Sequence, residues 1–465
     1  MKTPILHNNI AITKFTNEGH GIAHIDGKIH FVEDALPGDI ATISVYKSKK
    51  DHAFAKLVSI EKPSPQRVTP YCTHYYYCGG CRLQHVDYPT QLQLKNQSVV
   101  EAMQHIGKLQ NLPEVQPTMP CEQQKYYRNK LEYTFSNKRF RVEGEENSND
   151  DVLGFHVSGA YNKVLDITHC YHQATLSNDI RNAIRAFALN NNYTFYDLKN
   201  HTGLLRTLML RNTSQGEWMI VLVFANDDRP AIEAIMNQVH TEFPTITSLQ
   251  YVINTKKNDT LFDQTFQLYK GKNYIQQTLG DVTFSITAKS FFQVNIFSTQ
   301  ALYDVVASCL GNAADQVLYD LYCGTGTIGI YLSKKCKKII GIDITEEAIA
   351  QARACAIANH VTNTTYVAGD MKDVFTQEFY ATHGKADVIV IDPPRAGLHD
   401  TVTQSLLQSQ CPIIVYVSCN PATQARDVGV LQAHYDVALI QPVDMFPNTL
   451  HLENVMLLKL KNKAG

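Results

Sequence analysis

The sequence predicts an α/β protein: a C-terminal doubly wound parallel sheet, preceded by a small N-terminal β-barrel and a central α+β region. Three observations predict it. From about residue 298, short apolar runs near 316–321, 338–343, 364–368, 386–391 and 412–417 alternate with helical patterns. The first run enters a glycine-rich turn, Asp320-Leu321-Tyr322-Cys323-Gly324-Thr325-Gly326-Thr327-Ile328-Gly329, as strand-to-helix turns of such sheets do. Residues 1 to about 65 carry closely spaced strands that alternate apolar and polar residues between turn signals.

Taken in order, the segments 19–32, 41–46 and 53–58 form the strands of the barrel, and Lys47, Lys49 and Lys50 share one of its loops. Pro63, Pro65 and Pro70 mark a linker. The central region reads as strands at 131–135, 152–157, 204–212 and 217–225, with helices near 91–106, 177–190 and 229–241. The acidic stretch 143–151 reads as a mobile loop. A closing segment, 454–460, reads as an edge strand of the C-terminal sheet. These limits divide the chain into 1–65, 66–285 and 286–465.

A length of 465 residues, 44% hydrophobic and 18% charged, fits an ordinary soluble protein with a large core. No run reaches the ~18 apolar residues of a membrane helix, and the first residues lack a secretory h-region. The expected place is the cytoplasm, with no membrane and no obligate protein partner. A net charge of −2 supplies no global pull towards nucleic acid. Locally, Lys125 to Arg141 holds six basic residues against Glu132, interleaved with Tyr126, Tyr127, Tyr133, Phe135 and Phe140. That mixture suits single-stranded RNA, and equally a hairpin with a solvated basic face.

Eleven cysteines in such a chain are not expected to form disulfides. Cys309, Cys336, Cys355 and Cys411 read as buried small hydrophobes. Cys72, Cys78 and Cys81, with Cys170 far downstream, read as a metal or cluster site. Three clustered thiols plus a distant one favour [4Fe–4S], with zinc as the runner-up. Cys121, His74, His85 and His169 are possible substitutes.

The remaining motifs lie at strand ends, where open α/β sheets bind ligands. Gly324 and Gly326 let the backbone approach a cofactor, and Asp343 is placed to bond a ribose hydroxyl. A dinucleotide fits this turn too; Asp320 and the attached Cys/Glu pair favour S-adenosyl-L-methionine. Asp392-Pro393-Pro394-Arg395 carries a carboxylate on a stiff segment. Methyltransferases that act on amines have an aromatic residue where this chain has Arg395. In Ser418-Cys419-Asn420-Pro421 the thiol sits at a helix N-terminus, which is expected to lower its pKa. Cys419 is the candidate nucleophile and Glu453 the candidate proton acceptor.

Together these motifs, with Phe291-Phe292-Gln293-Val294-Asn295 and the Phe446 to Glu453 stretch, resemble the S-adenosylmethionine-dependent RNA uracil-C5 methyltransferases. The resemblance is to the 23S ribosomal RNA members that carry a TRAM domain and an iron–sulfur cluster. It implies a Rossmann-like methyltransferase sheet, Cys419 as nucleophile and Glu453 as proton acceptor. It places cofactor binding at Gln293, Tyr322, Asp343 and Asp392, with Asp370 beside them, and substrate contact at Phe291, with Arg395 a further candidate. It gives the cluster to Cys72, Cys78, Cys81 and Cys170. Two positions depart from the family pattern: Asp343 replaces a commoner Glu, and Thr327 replaces an Asn found in some members. The alternatives are a transfer-RNA uracil methyltransferase, a nicotinamide-dependent oxidoreductase and a non-catalytic RNA-binding assembly factor.

Overall fold

The computed structural model describes residues 5–142, 144–145 and 149–462. Within the 143–151 stretch expected as a loop, residues 143 and 146–148 lie outside the described residues.

Alternation of inward Ala23, Val32, Ala41, Ile43, Val45, Ala53 and Ala55 with polar neighbours builds the N-terminal core. Six strands between Ile5 and Lys62 form this sheet. Buried Asp39 ties it to the next segment. Its carboxylate accepts the Leu36 and Ser64 amides at 2.7 and 2.8 Å and pairs with Arg67 at 2.5 Å.

The central sheet has seven strands, in the spatial order Gln267–Gly271, Ser248–Ile253, Trp218–Phe224, Leu205–Asn212, Lys130–Ser136, Val152–Val157 and Ala160–Asp166. Trp218–Phe224 is buried at every position, as its unbroken apolar run requires. Helices Leu176–Asn190 and Arg229–Glu242 bury their apolar faces in the same core. The aromatic half of the basic 125–141 stretch belongs to the interior: Tyr127, Tyr133 and Phe135 are buried. Several of its cations are already paired, Lys130 with Glu132, Lys138 with Asp197, Arg139 with Glu145 and Asp166, and Arg141 with Asp150. Lys125 instead lies 3.9 Å over the Tyr71 ring.

The C-terminal sheet contains β1 (Val317–Leu321), β2 (Lys338–Asp343), β3 (Thr364–Ala368), β4 (Val388–Ile391), β5 (Ile413–Ser418), β6 (Tyr435–Val443) and β7 (Glu453–Leu460). Its order is β3-β2-β1-β4-β5-β7-β6, with β1 to β5 parallel. The order reverses between β1 and β4, where such sheets open a crevice. β7 is an interior strand, not the expected edge strand. It runs antiparallel between β5 and β6, because its residues Glu453 to Met456 are buried on both faces. The edge is β6, whose exposed Asp436 suits an unpaired margin; no strand was expected there from the sequence.

Helix Tyr88–Glu101, capped by the Asp87 side chain, continues through a π-helical turn, Ala102–Ile106. Val99, Ala102 and Met103 pack into the core of the C-terminal sheet, although the central region follows them in sequence. Lys95 on this helix is buried and pairs with buried Asp444 at 2.6 Å. Among the described residues no helix is long and apolar enough to cross a membrane.

Candidate active site

At the end of β1 the chain turns through residues with positive φ: Tyr322 (63°), Gly324 (53°) and Gly326 (73°). A side chain on Gly326 would meet the Tyr366 hydroxyl at 2.7 Å and Ala352 at 3.0 Å, so both backbone and space demand glycine there. The turn is pinned from beneath and from β2. The Gly329 amide donates to Asp320 at 2.9 Å, and the Gly324 amide donates to Asp343 at 2.9 Å. Burial pushes the Asp320 carboxyl up to about 7. Asp370, after β3, caps the short helix Met371–Val374, and its hydrogen bond with Lys372 lowers its pKa. Burial pushes the Tyr322 hydroxyl up to about 12, and the charge of Asp370 adds to the shift.

The 291–293 segment borders this turn. The Thr325 hydroxyl donates to the Phe291 carbonyl at 3.4 Å, and the Asn129 side chain donates to the Gln293 carbonyl at 2.9 Å. Gln293 is buried, whereas Phe291 is 65% exposed.

Asp392 follows β4, and its amide donates to the Leu321 carbonyl at 3.3 Å. Cys419 follows β5. The Asn420 side chain caps helix Pro421–Leu431 and donates to the Arg395 carbonyl at 3.0 Å, latching the Asp-Pro-Pro-Arg segment to the cysteine turn. The antiparallel β5–β7 ladder ends at the pair Ser418–Asn454, so Cys419 and Glu453 flank that last pair on the same side. The two candidate groups are therefore brought side by side by the register.

The electrostatics reverse one expectation. Cys419 stands at a helix N-terminus, yet burial pushes its thiol up to about 11, and the charges of Glu453 and Asp392 add to this. Arg395 opposes them. Burial and two neighbouring carboxylates outweigh the helix dipole. Burial also holds Glu453 well above the usual carboxylate range, with Asp392 adding and Arg395 opposing. Asp392 itself rises to about 7 through burial. Glu453 Oε2 is buried and has no hydrogen-bond partner among the described residues.

Cys72, Cys78, Cys81 and Cys170 line one cavity of about 880 Å³, which reaches Phe291, Phe292 and Val294. The Gly80 amide donates to Cys78 Sγ at 3.4 Å, and Cys81 lies in the field of the other three thiols. Four thiols around one cavity are chemically a soft-metal donor set. As they stand, the sulfurs are not closed around one point: among the described residues no three His, Cys, Asp or Glu side chains form a metal-holding group. The possible substitutes are engaged elsewhere. His74 contacts Thr168, His85 contacts Tyr75, His169 contacts Tyr126, and Cys121 accepts from Asn295. Sequence reasoning missed His172, which is half-buried with Nε2 3.0 Å from Cys81 Sγ. Its position two residues after Cys170 was the available signal.

Comparison with known proteins bears on this geometry. The family model "tRNA (Uracil-5-)-methyltransferase" matches residues 263–461, and the TRAM domain model matches 9–58. A Porphyromonas gingivalis protein described as an uncharacterised RNA methyltransferase is 46% identical over 459 residues, covering 96% of this chain and 98% of its own. The chain belongs to the RNA uracil-5-methyltransferase family. A Bacteroides thetaiotaomicron protein with the same description is 40% identical, over 96% of this chain and 99% of its own. The crystal structure of Pyrococcus abyssi tRNA (uracil-54, C5)-methyltransferase with S-adenosyl-L-homocysteine superposes with a TM-score of 0.76 at 27% identity. It covers 97% of this chain and 99% of that one. As an RNA uracil-5-methyltransferase, the chain uses S-adenosylmethionine and acts on RNA. Its C-terminal sheet is the Rossmann-like methyltransferase sheet, and its N-terminal strands form a TRAM domain.

Proposed function

We propose that this chain methylates C5 of a uridine in 23S ribosomal RNA through a covalent bond between Cys419 and C6 of the base. The observation that carries the reading is the placement of Cys419 and Glu453 side by side just beyond the last β5–β7 pair, with Asp392 and Arg395 in their shared field. Uracil C5 is too weak a nucleophile to take a methyl group unaided. Cys419 gives its thiol proton to solvent, and the thiolate adds to C6, moving electrons through C5 onto O4. C5 attacks the sulfonium methyl, and S-adenosylhomocysteine leaves. The Glu453 carboxylate takes the C5 proton; the freed electrons rebuild the C5–C6 double bond and expel the thiolate. Arg395 stands where it can steady charge on the uracil edge. Tyr322, Asp343, Asp370, Asp392 and Gln293 hold the methyl donor around Gly324 and Gly326, and Phe291 contacts the extruded base.

Glu453→Gln is expected to accumulate a methylated RNA–protein adduct at Cys419, detectable by intact-mass spectrometry. Absence of that adduct with RNA and methyl donor present rejects the assigned role. The choice of ribosomal RNA rests on the barrel and the cysteine group. Full-length similarity to a transfer-RNA enzyme favours the second reading, a transfer-RNA uridine. Mapping 5-methyluridine in total RNA from cells lacking the protein separates the two: the missing mark lies in one or the other.

The same reading assigns a [4Fe–4S] cluster to Cys72, Cys78, Cys81 and Cys170, supported by their lining of one common cavity. When bound, the cluster would supply a structural cross-link between the 72–81 segment and Cys170, and no step of methyl transfer needs a redox change. Elemental analysis of anaerobically purified protein is expected to give iron with acid-labile sulfide; zinc without sulfide identifies the runner-up.

A further inference from the structure

We infer that Asn448 is a positioning residue: it fastens the loop that delivers Glu453 to the cysteine-bearing segment and so sets the aim of the proton acceptor. This rests on the reading of Glu453 given above. The loop spans residues 444–452, between β6 and β7, and four separate parts of the chain hold it. Asp444 pairs with Lys95 and accepts from the Tyr88 hydroxyl at 2.8 Å. Leu450 sits in an apolar cluster with Leu36 and Phe15 of the barrel and Leu83, Val86 and Leu94 beyond it. His451 reaches Arg395, with Nδ1 3.5 Å from the guanidinium.

Asn448 is the most heavily tied residue at the tip. Its φ is 65°, and it is buried. Its carbonyl accepts the Arg82 and Leu83 amides at 2.9 and 3.0 Å, immediately after Cys81. Its side-chain nitrogen donates to the Tyr71 hydroxyl at 3.1 Å, immediately before Cys72, and to the Gln124 carbonyl at 3.0 Å. Its amide donates to the Gln91 side chain at 2.9 Å. One residue therefore closes both ends of the three-cysteine segment against the active-site loop.

Glu453 needs such support. It is the first residue of β7, and its Oε2 has no hydrogen-bond partner among the described residues. Its direction depends on the backbone either side, and on one side that backbone is this loop. An anchor outside the site then controls the late proton removal without touching the earlier attack by Cys419, which is carried by β5.

Tyr71→Phe and Asn448→Asp test this. Tyr71→Phe removes the Tyr71–Asn448 bond, and Asn448→Asp removes the donor to the Gln124 carbonyl; aspartate keeps the acceptor oxygen and is a residue type that tolerates positive φ. RNA affinity and the rate of adduct formation are expected to stay near the parent values. Adduct release is expected to slow about tenfold, the size of losing one or two hydrogen bonds, so that covalent RNA–protein species accumulate in single-turnover gels. A purely structural role lowers formation and release together and overturns the inference, as does unchanged release. Should Asn448→Asp not fold, Tyr71→Phe decides alone, since it deletes one hydroxyl. Glu453→Gln separates the two levels. If it traps no adduct, the proposed chemistry fails and the inference with it; if it traps adduct while both variants release normally, only the inference fails.

Discussion

Cys419→Ala is expected to abolish both adduct formation and methyl transfer, by on the order of 10⁴-fold or more, as removal of a nucleophile does. RNA and methyl-donor binding are expected to survive, because the substitution leaves the Asn420 cap and its bond to Arg395 in place. Radiolabelled methyl transfer and intact-mass spectrometry check the two halves. The parent enzyme carries its own pH signature. With the thiol raised to about 11, the thiolate is the minor form at neutral pH, and its fraction grows about tenfold per pH unit below that value. Single-turnover adduct formation is therefore expected to climb through the alkaline range instead of levelling near pH 8. Arg395 is the cation that holds the thiol down, so Arg395→Gln is expected to push the rising limb further alkaline. A profile unchanged by that variant removes Arg395 from the electrostatics of the site.

Lys95→Met is expected to destabilise the protein by about 3–5 kcal/mol, the cost of leaving a buried carboxylate without its counter-charge. Lys95 and Asp444 are both buried, and the Lys95 ammonium also donates to the Phe446 carbonyl at 3.0 Å. Combining Lys95→Met with Asp444→Leu is expected to restore only part of the loss. The pair of changes removes the unpaired charge but strands the Phe446 amide and leaves the Tyr88 hydroxyl only its longer bond to the Cys121 carbonyl, whereas both donate to Asp444 in the parent. Denaturant unfolding of the single and double variants measures the difference, and equal losses in both argue against the charge as the cause.

The parts legible from sequence are those whose chemistry is local. The glycine turn, Asp392 to Arg395, and Ser418 to Pro421 each sit within a few residues at a strand end. Strand-end placement follows from apolar runs that also fix the parallel order. What is not legible lies in long-range partners. Nothing near Lys95 signals that its counter-ion is Asp444, and helix Tyr88–Glu101 gives no hint that it packs on the last sheet instead of the next one. β7 reads as a margin because the last place in sequence suggests the last place in space. The direction of the thiol's shift is hidden for a related reason: the helix N-terminus is visible at Pro421, whereas burial and the charge of Glu453 emerge only after folding. The basic stretch at 125–141 shows the converse, since its alternation with aromatics looks like a surface and is half core.

The interior place of β7 has a consequence for how the chain is made. Until residues beyond 453 have been synthesised, β5 presents an unpaired apolar edge, the kind of surface that recruits other strands. Helix Tyr88–Glu101 meanwhile waits for partners some 350 positions downstream. Such distant closure is slow. Catalytic competence thus arrives with the final strand, and nascent chains halted short of it combine inactivity with a tendency to aggregate.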